Sequence, residues 1–286
     1  MNKITVALLF SIILFSCKKS STTDMGVLAE QTSKDVAYAS SSPQQKMDVY
    51  LPANRSTSAT YTVIMVHGGS WSAGDKTDFD TYIPNLKPLM GNYAIFNINY
   101  RLANGSSVLL QQQIDDINIA IDFITGKANE YNINTSKMAL MGASAGAHLT
   151  LLKAFRFNTD GRIKAVVDLF GPTDMAWMYN SHPQPTFTQP IIVNVVGGTP
   201  ATNATEYTNA SPINFTTATV PPTIIFHGTV DPIVPISESQ KLQTKLQTMG
   251  VTNQYVVYTG EGHGWVGTNL TDTYNKAVNF IKNYVK

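Results

Sequence analysis

The most regular feature of this sequence is a recurrence of short apolar runs, each closed by a turn signal. Tyr61–Val66 ends in His67-Gly68-Gly69, and Tyr93–Ile98 ends at Asn99-Tyr100-Arg101. The run 137–141 leads into Gly142, 165–170 into Gly171-Pro172, and 223–226 into His227-Gly228, with 254–258 the last. Near-continuous apolar strands are what a parallel sheet covered on both faces requires. Between them the period changes. Apolar residues at 110, 114, 117, 121 and 124, three or four apart, predict a helix over 108–123, and 235–249 and 272–285 show similar spacing. Alternating strand and helix predicts an α/β layered domain over 36–286, with its chemistry at the carboxyl ends of the strands.

One stretch breaks the alternation. Residues 173–219 hold several prolines, many Thr and Asn, and the aromatics Trp177, Tyr179, Phe187 and Tyr207. This is too long for a plain connection and is expected to be an insertion lying over the strand ends. The apolar runs resume at Thr223, so it is not a domain of its own.

The N-terminus follows a different rule. Lys3 precedes an apolar stretch from Ile4 to Phe15, about 12 residues, which is short of the roughly 20 needed to span a bilayer. Residues 1–16 therefore predict an export signal. Leu14-Phe15-Ser16-Cys17 resembles a bacterial lipobox, which implies acylation of Cys17 and a lipid anchor in the membrane, periplasm-facing or at the surface. The segment 17–35 begins polar and Ser/Thr-rich and suits a tether. Cys17 is the single cysteine, which excludes a disulfide framework and a thiolate zinc site.

Composition narrows the function. The chain is 43% apolar and 14% charged, with 20 basic and 19 acidic residues. Removal of Lys3 with the signal would leave 19 of each sign. Such a balance argues against nucleic-acid binding, which shows a basic face, and the apolar content argues against disorder.

The chemistry concentrates at turns. Gly142-Ala143-Ser144-Ala145-Gly146 lies between an apolar strand and Ala147-His148-Leu149, the place of a nucleophile elbow. A serine hydroxyl needs a base to take its proton and a third group to orient that base. His263 in Gly260-Glu261-Gly262-His263-Gly264 and Asp231 in His227-Gly228-Thr229-Val230-Asp231-Pro232 supply them in the order Ser, Asp, His. Asp174 is the rival acid, one strand too early. His67, His227 and His148 are expected to orient the loop, brace the turn of the acid and serve structurally, respectively.

Together with Lys46 to Pro52, Gly74-Asp75-Lys76, Asn99 to Leu102, Phe170 to Asp174, Gly197 to Pro200 and Ala210 to Ile213, these motifs resemble the carboxylesterase branch of the α/β-hydrolase superfamily, including bacterial feruloyl and acetylxylan esterases. The resemblance covers roughly 44–265. It implies an α/β-hydrolase fold and a Ser144–His263–Asp231 triad, with an oxyanion hole from the N–H groups of Gly69, Ser70 and Ala145. It implies neither metal nor cofactor. Ser70 replaces a third glycine common in lipase-like members, and Ala147 stands where relatives often have glycine. A lipid-anchored esterase with balanced charge suits short-chain or carbohydrate-linked esters, with Trp71, Trp177, Tyr179 and Trp265 lining the pocket. The HGGSW stretch is also similar to kynurenine formamidase-like amide hydrolases, and a non-catalytic glycan-binding lipoprotein is the rival from another class.

Overall fold

In the computed structural model, residues 28–286 are described; the expected signal 1–16, Cys17 and the tether as far as residue 27 lie outside the described residues. An eight-stranded sheet runs β1 (Gln31–Ala37), β2 (Lys46–Leu51), β4 (Tyr93–Ile98), β3 (Tyr61–Val66), β5 (Met138–Ala143), β6 (Ile163–Leu169), β7 (Thr223–Gly228) and β8 (Asn253–Tyr258) across its width. β1 and β2 are antiparallel additions at one edge, and the other six strands are parallel.

The continuous apolar runs have the predicted cause. On one face Ile64, Phe96, Leu140, Val166 and Ile225 pack under α2 (Leu110–Gly126), α4 (Ala145–Arg156) and α8 (Ser237–Thr248). On the other, Val63, Ile95, Met141, Val167 and Ile224 pack under α1 (Ile83–Met90) and α9 (Gly267–Tyr284). Burial on both faces leaves no polar alternation along these strands. The 17-residue α2 presents Ile114, Ile117, Ile121 and Ile124 to the sheet, the expected stripe.

One expected boundary differs from the structure. The domain begins before residue 36, because Gln31–Ala37 is already a strand of the sheet. Its residues are mostly exposed and polar, so hydrophobic pattern could not signal it. Charge holds it instead. Lys34 Nζ lies 2.8 Å from the buried Asp48 and 2.7 Å from the Tyr50 hydroxyl, while Lys76 Nζ reaches Asp35 at 3.0 Å and Asp48 at 3.1 Å. The stretch 173–219, expected as an insertion, is mostly helical. It folds into α5 (Met175–Ser181), α6 (Pro185–Val196), α7 (Ala204–Ala210) and a 3₁₀ turn at Pro212–Phe215. In α6 the proline at the first position is pre-set for a helix, but Pro190 inside it masks the pattern.

Candidate active site

The carboxyl ends of β5, β7 and β8 meet at one point. Ser144 follows β5 directly, with φ 54° in the left-handed region that a serine seldom occupies. Its N–H donates to Leu169 O at 2.8 Å, and the carbonyl accepts from His148 N at 3.0 Å, so the turn is bonded on both sides. The flanking glycines are required by space. A Cβ on Gly142 would lie 2.4 Å from Gly146 O, and one on Gly146 would lie 2.1 Å from Val66 O. The elbow packs backbone to backbone against its own helix and against β3.

His263 descends from the loop after β8. Its Nε2 is 2.8 Å from Ser144 Oγ and its Nδ1 is 2.7 Å from Asp231 Oδ2. A carboxylate can only accept, so Nδ1 carries the proton and the Nε2 lone pair faces the serine hydroxyl. Asp231 is buried at the turn after β7, where its Oδ1 accepts from Ile233 N (2.8 Å) and Val234 N (3.0 Å). Burial alone would raise this carboxyl. The hydrogen bonds from His227 and His263 outweigh burial and hold it well below the ordinary carboxylate range.

The loop 67–71 faces the elbow. Gly69, Ser70 and Trp71 take φ values of 108°, 51° and 61° in succession, and a Cβ on Gly68 would be 3.2 Å from Ser144 Cβ. Among the described residues, no acceptor bonds the N–H groups of Gly69 or Ser70, and none bonds that of Ala145 at the first position of α4. Burial pushes His67 below its usual range. Its ring stacks on Tyr100 at 4.4 Å, and its Nδ1 lies 2.7 Å from Gly68 O. Asp174 is elsewhere: it caps α5 by accepting from Trp177 N at 3.0 Å.

The remaining histidines are structural in their contacts. His227 is fully buried. Its Nε2–H donates to Val234 O at 2.8 Å and lies 3.3 Å from Asp231 Oδ2, while Ser239 Oγ donates to its Nδ1 at 2.7 Å. His148 accepts from Trp71 Nε1 at 3.0 Å and donates to Ala210 O at 2.7 Å, and its burial lowers its pKa to about 4. His182, which no sequence motif marked, donates from Nε2 to Ile233 O at 3.1 Å and so ties α5 to the loop of the acid.

Two apolar spaces flank Ser144. A slot of about 30 Å³ is bounded by Ser144, Ser70, Trp71, Phe187, Ile191 and Val234, and a cavity of about 160 Å³ lies beyond Gly68 and Ala143, walled by Phe79, Phe170, Trp265 and Tyr274. Of the tryptophans expected there, Trp71 borders the slot and Trp265 the cavity, both through nearly buried rings. Trp177 lines neither. Its ring turns toward α8, where Lys241 Nζ stands 4.2 Å above it. Tyr179 packs edge-on against Tyr207 instead. Phe187 and Ile191 of α6 line the slot, but the Pro- and Thr-rich context gave no helical period to place them.

Residues 47–246 match the family model BD-FAE. The chain belongs to the BD-FAE family. It is 26% identical to a probable carboxylic ester hydrolase, LipM, of Mycobacterium tuberculosis, over 78% of this chain and 53% of that protein. It is 24% identical to the isoprenylcysteine alpha-carbonyl methylesterase ICME of Arabidopsis thaliana, over 82% and 57%. This BD-FAE chain spans about half the length of the curated relatives it matches. Among solved structures, it superposes on a truncated carbohydrate esterase from gut microbiota with a TM-score of 0.75 and 25% identity, covering 88% of this chain and 95% of that one. Esterase B of Lactobacillus rhamnosis matches with a TM-score of 0.74 at 20% identity, covering 89% and 87%, a likeness of fold. The fold is the α/β-hydrolase fold.

Proposed function

We propose that this BD-FAE member is a serine carboxylesterase that hydrolyses short-chain or carbohydrate-linked esters through Ser144, His263 and Asp231. The observation that carries this is the unbroken hydrogen-bond chain from Asp231 Oδ2 through His263 to Ser144 Oγ, with both steps at or below 2.8 Å. Ser144 Oγ attacks the ester carbonyl as its proton passes to Nε2. Asp231, held ionised by its surroundings, stabilises the imidazolium and keeps Nδ1 protonated. The N–H groups of Gly69, Ser70 and Ala145 receive the negative charge on the carbonyl oxygen; loss of one such donor typically costs 10²–10³-fold. His263 then returns the proton to the leaving alcohol, and water releases the acyl group by the same steps in reverse.

The slot of about 30 Å³ has room for only one or two water-sized groups, which suits the methyl of an acetyl ester. The larger, aromatic-walled cavity suits a ring-bearing group. We propose further that Cys17 carries a lipid that anchors the enzyme to the bacterial envelope. One such chain gives only marginal membrane binding, so more than one acyl group would be attached.

The test compares the full chain with Ser144→Ala on p-nitrophenyl acetate, butyrate and decanoate, on acetylated xylan and on N-formylkynurenine. Serine-dependent release from the short esters is the expected result. Turnover of the formamide alone would move the reading to an amide hydrolase, and glycan retention without any turnover would make it a binding protein.

A further inference from the structure

The turn after β6 carries a second strained residue beside the site. Phe170 takes φ 48°, a conformation an aromatic side chain adopts only when its surroundings hold it there. They do so here. Phe170 N–H donates to Phe226 O at 2.9 Å, and Gly171 N–H donates to the buried Asp168 Oδ1 at 2.8 Å. The consequence is a placement: the Phe170 ring lies 4.6 Å from the His263 ring, tilted by 57°. Behind it stands Trp265, edge-on at 5.4 Å, itself fixed by Nε1–H donating to Thr273 Oγ1 at 2.8 Å and by Tyr258 at 4.7 Å.

His263 needs such a wall. It comes from the loop after β8, which is tied down just before it, where Glu261 O accepts from Val230 N at 3.0 Å, and its two side-chain hydrogen bonds leave from Nδ1 and Nε2. Bonds at those two atoms define an axis, and the tilt of the ring about it is fixed only as far as the loop backbone holds Cβ in place. A ring held against it closes that freedom. An aromatic face is also a favourable neighbour for the imidazolium that forms during turnover.

We infer that Phe170 is a positioning residue for the reaction, a strained aromatic wall that sets the tilt of the His263 imidazole. This rests on the reading of Ser144, His263 and Asp231 as the triad. The strain is then functional, because a relaxed turn would withdraw the ring from the histidine.

The experiment uses the full chain and its Phe170→Leu, Phe170→Tyr and Phe170→Gly variants, with ethyl acetate, which has no ring to occupy the cavity that Phe170 walls, as substrate, acid release as the readout and a melting curve for each. Phe170→Tyr keeps the ring and borders a cavity with room for a hydroxyl, so its kcat is expected within about threefold of wild type. Phe170→Leu keeps bulk without a ring, and its kcat is expected to fall about tenfold to a hundredfold with KM nearly unchanged. Phe170→Gly relieves the strained φ and is expected to lose kcat more than its melting temperature would explain. Equal kcat in the tyrosine and glycine variants, or wild-type kcat in the leucine variant, overturns the inference. If the leucine variant does not fold, the tyrosine and glycine pair decides. Full activity in Ser144→Ala, or no covalent labelling of Ser144 by a fluorophosphonate, would instead remove the triad reading beneath it, whatever the Phe170 variants do.

Discussion

His227 Nε2 lies 3.3 Å from Asp231 Oδ2, the same oxygen that receives His263 at 2.7 Å. In the proposed mechanism the acid is therefore flanked by two imidazoles with different tasks. His227 is bonded on both nitrogens and fully buried, so it would hold the carboxylate while His263 exchanges the proton. His227→Phe leaves Val234 O and Ser239 Oγ buried without partners, at a cost of about 1–3 kcal/mol for each unsatisfied group. We expect a lowered melting temperature together with a kcat loss, read on a short ester. His227→Gln, whose amide can still donate to Val234 O, is expected to recover part of both.

The buried Asp168 makes stability depend on pH. Burial pushes its carboxyl up to about 7 from an ordinary 3.8, against the opposing pull of the Gly171 N–H and His227. The unfolded chain therefore releases this proton first as pH rises. Its contribution to stability is fully present below about pH 4 and is lost progressively up to about pH 7, at roughly 1.4 kcal/mol per pH unit. Asp168→Asn keeps an acceptor for Gly171 N and removes the ionisation. Urea melts are expected to show the variant level with wild type at pH 4 and more stable at pH 8; a parallel dependence in both proteins would refute this.

Gly146→Ala tests whether the close approach at the elbow is obligatory. The new Cβ would lie 2.1 Å from Val66 O and 2.4 Å from His67 O, both backbone atoms that cannot step aside. Overpacking of this kind costs about 3 kcal/mol or more where the backbone must shift. Loss of soluble protein, or a strongly lowered melting point with activity abolished, is expected.

Ile191→Ala tests the slot. Ile191 is partly buried and borders the same small space as Ser144 and Phe187, so its truncation widens the acyl side without opening the core. The ratio of kcat/KM for p-nitrophenyl butyrate over acetate is expected to rise by about tenfold, the worth of one or two methylene groups in an apolar pocket. An unchanged ratio would place the acyl group elsewhere.

Much of this molecule was legible in the order of its residues. The strands β3 and β4 fall at the residues that their apolar runs predicted, and β5 to β8 within a few residues, because burial on both faces writes itself into consecutive positions. The elbow was legible because a backbone packed this tightly accepts only glycine around the serine. The order of Ser144, Asp231 and His263 was readable too, since each sits in a turn at the end of its strand. The charged edge strand β1 was not, and neither were the helices α5 to α7. Their positions depend on partners distant in sequence, Asp48 for Lys34 and Ile233 for His182, rather than on local period.

The sequence by itself thus determined which side chains were available for the chemistry and on which strand ends they stand. Only the tertiary structure decided their distances. Ser144 and His263 are 119 residues apart in the chain and 2.8 Å apart in space. It also decided that Trp177 turns away toward Lys241 while Phe187 and Phe170 come to the site. A residue's own periodicity reports whether it is buried; what it is buried against is fixed by loop closure and sheet order, to which no short window of sequence has access.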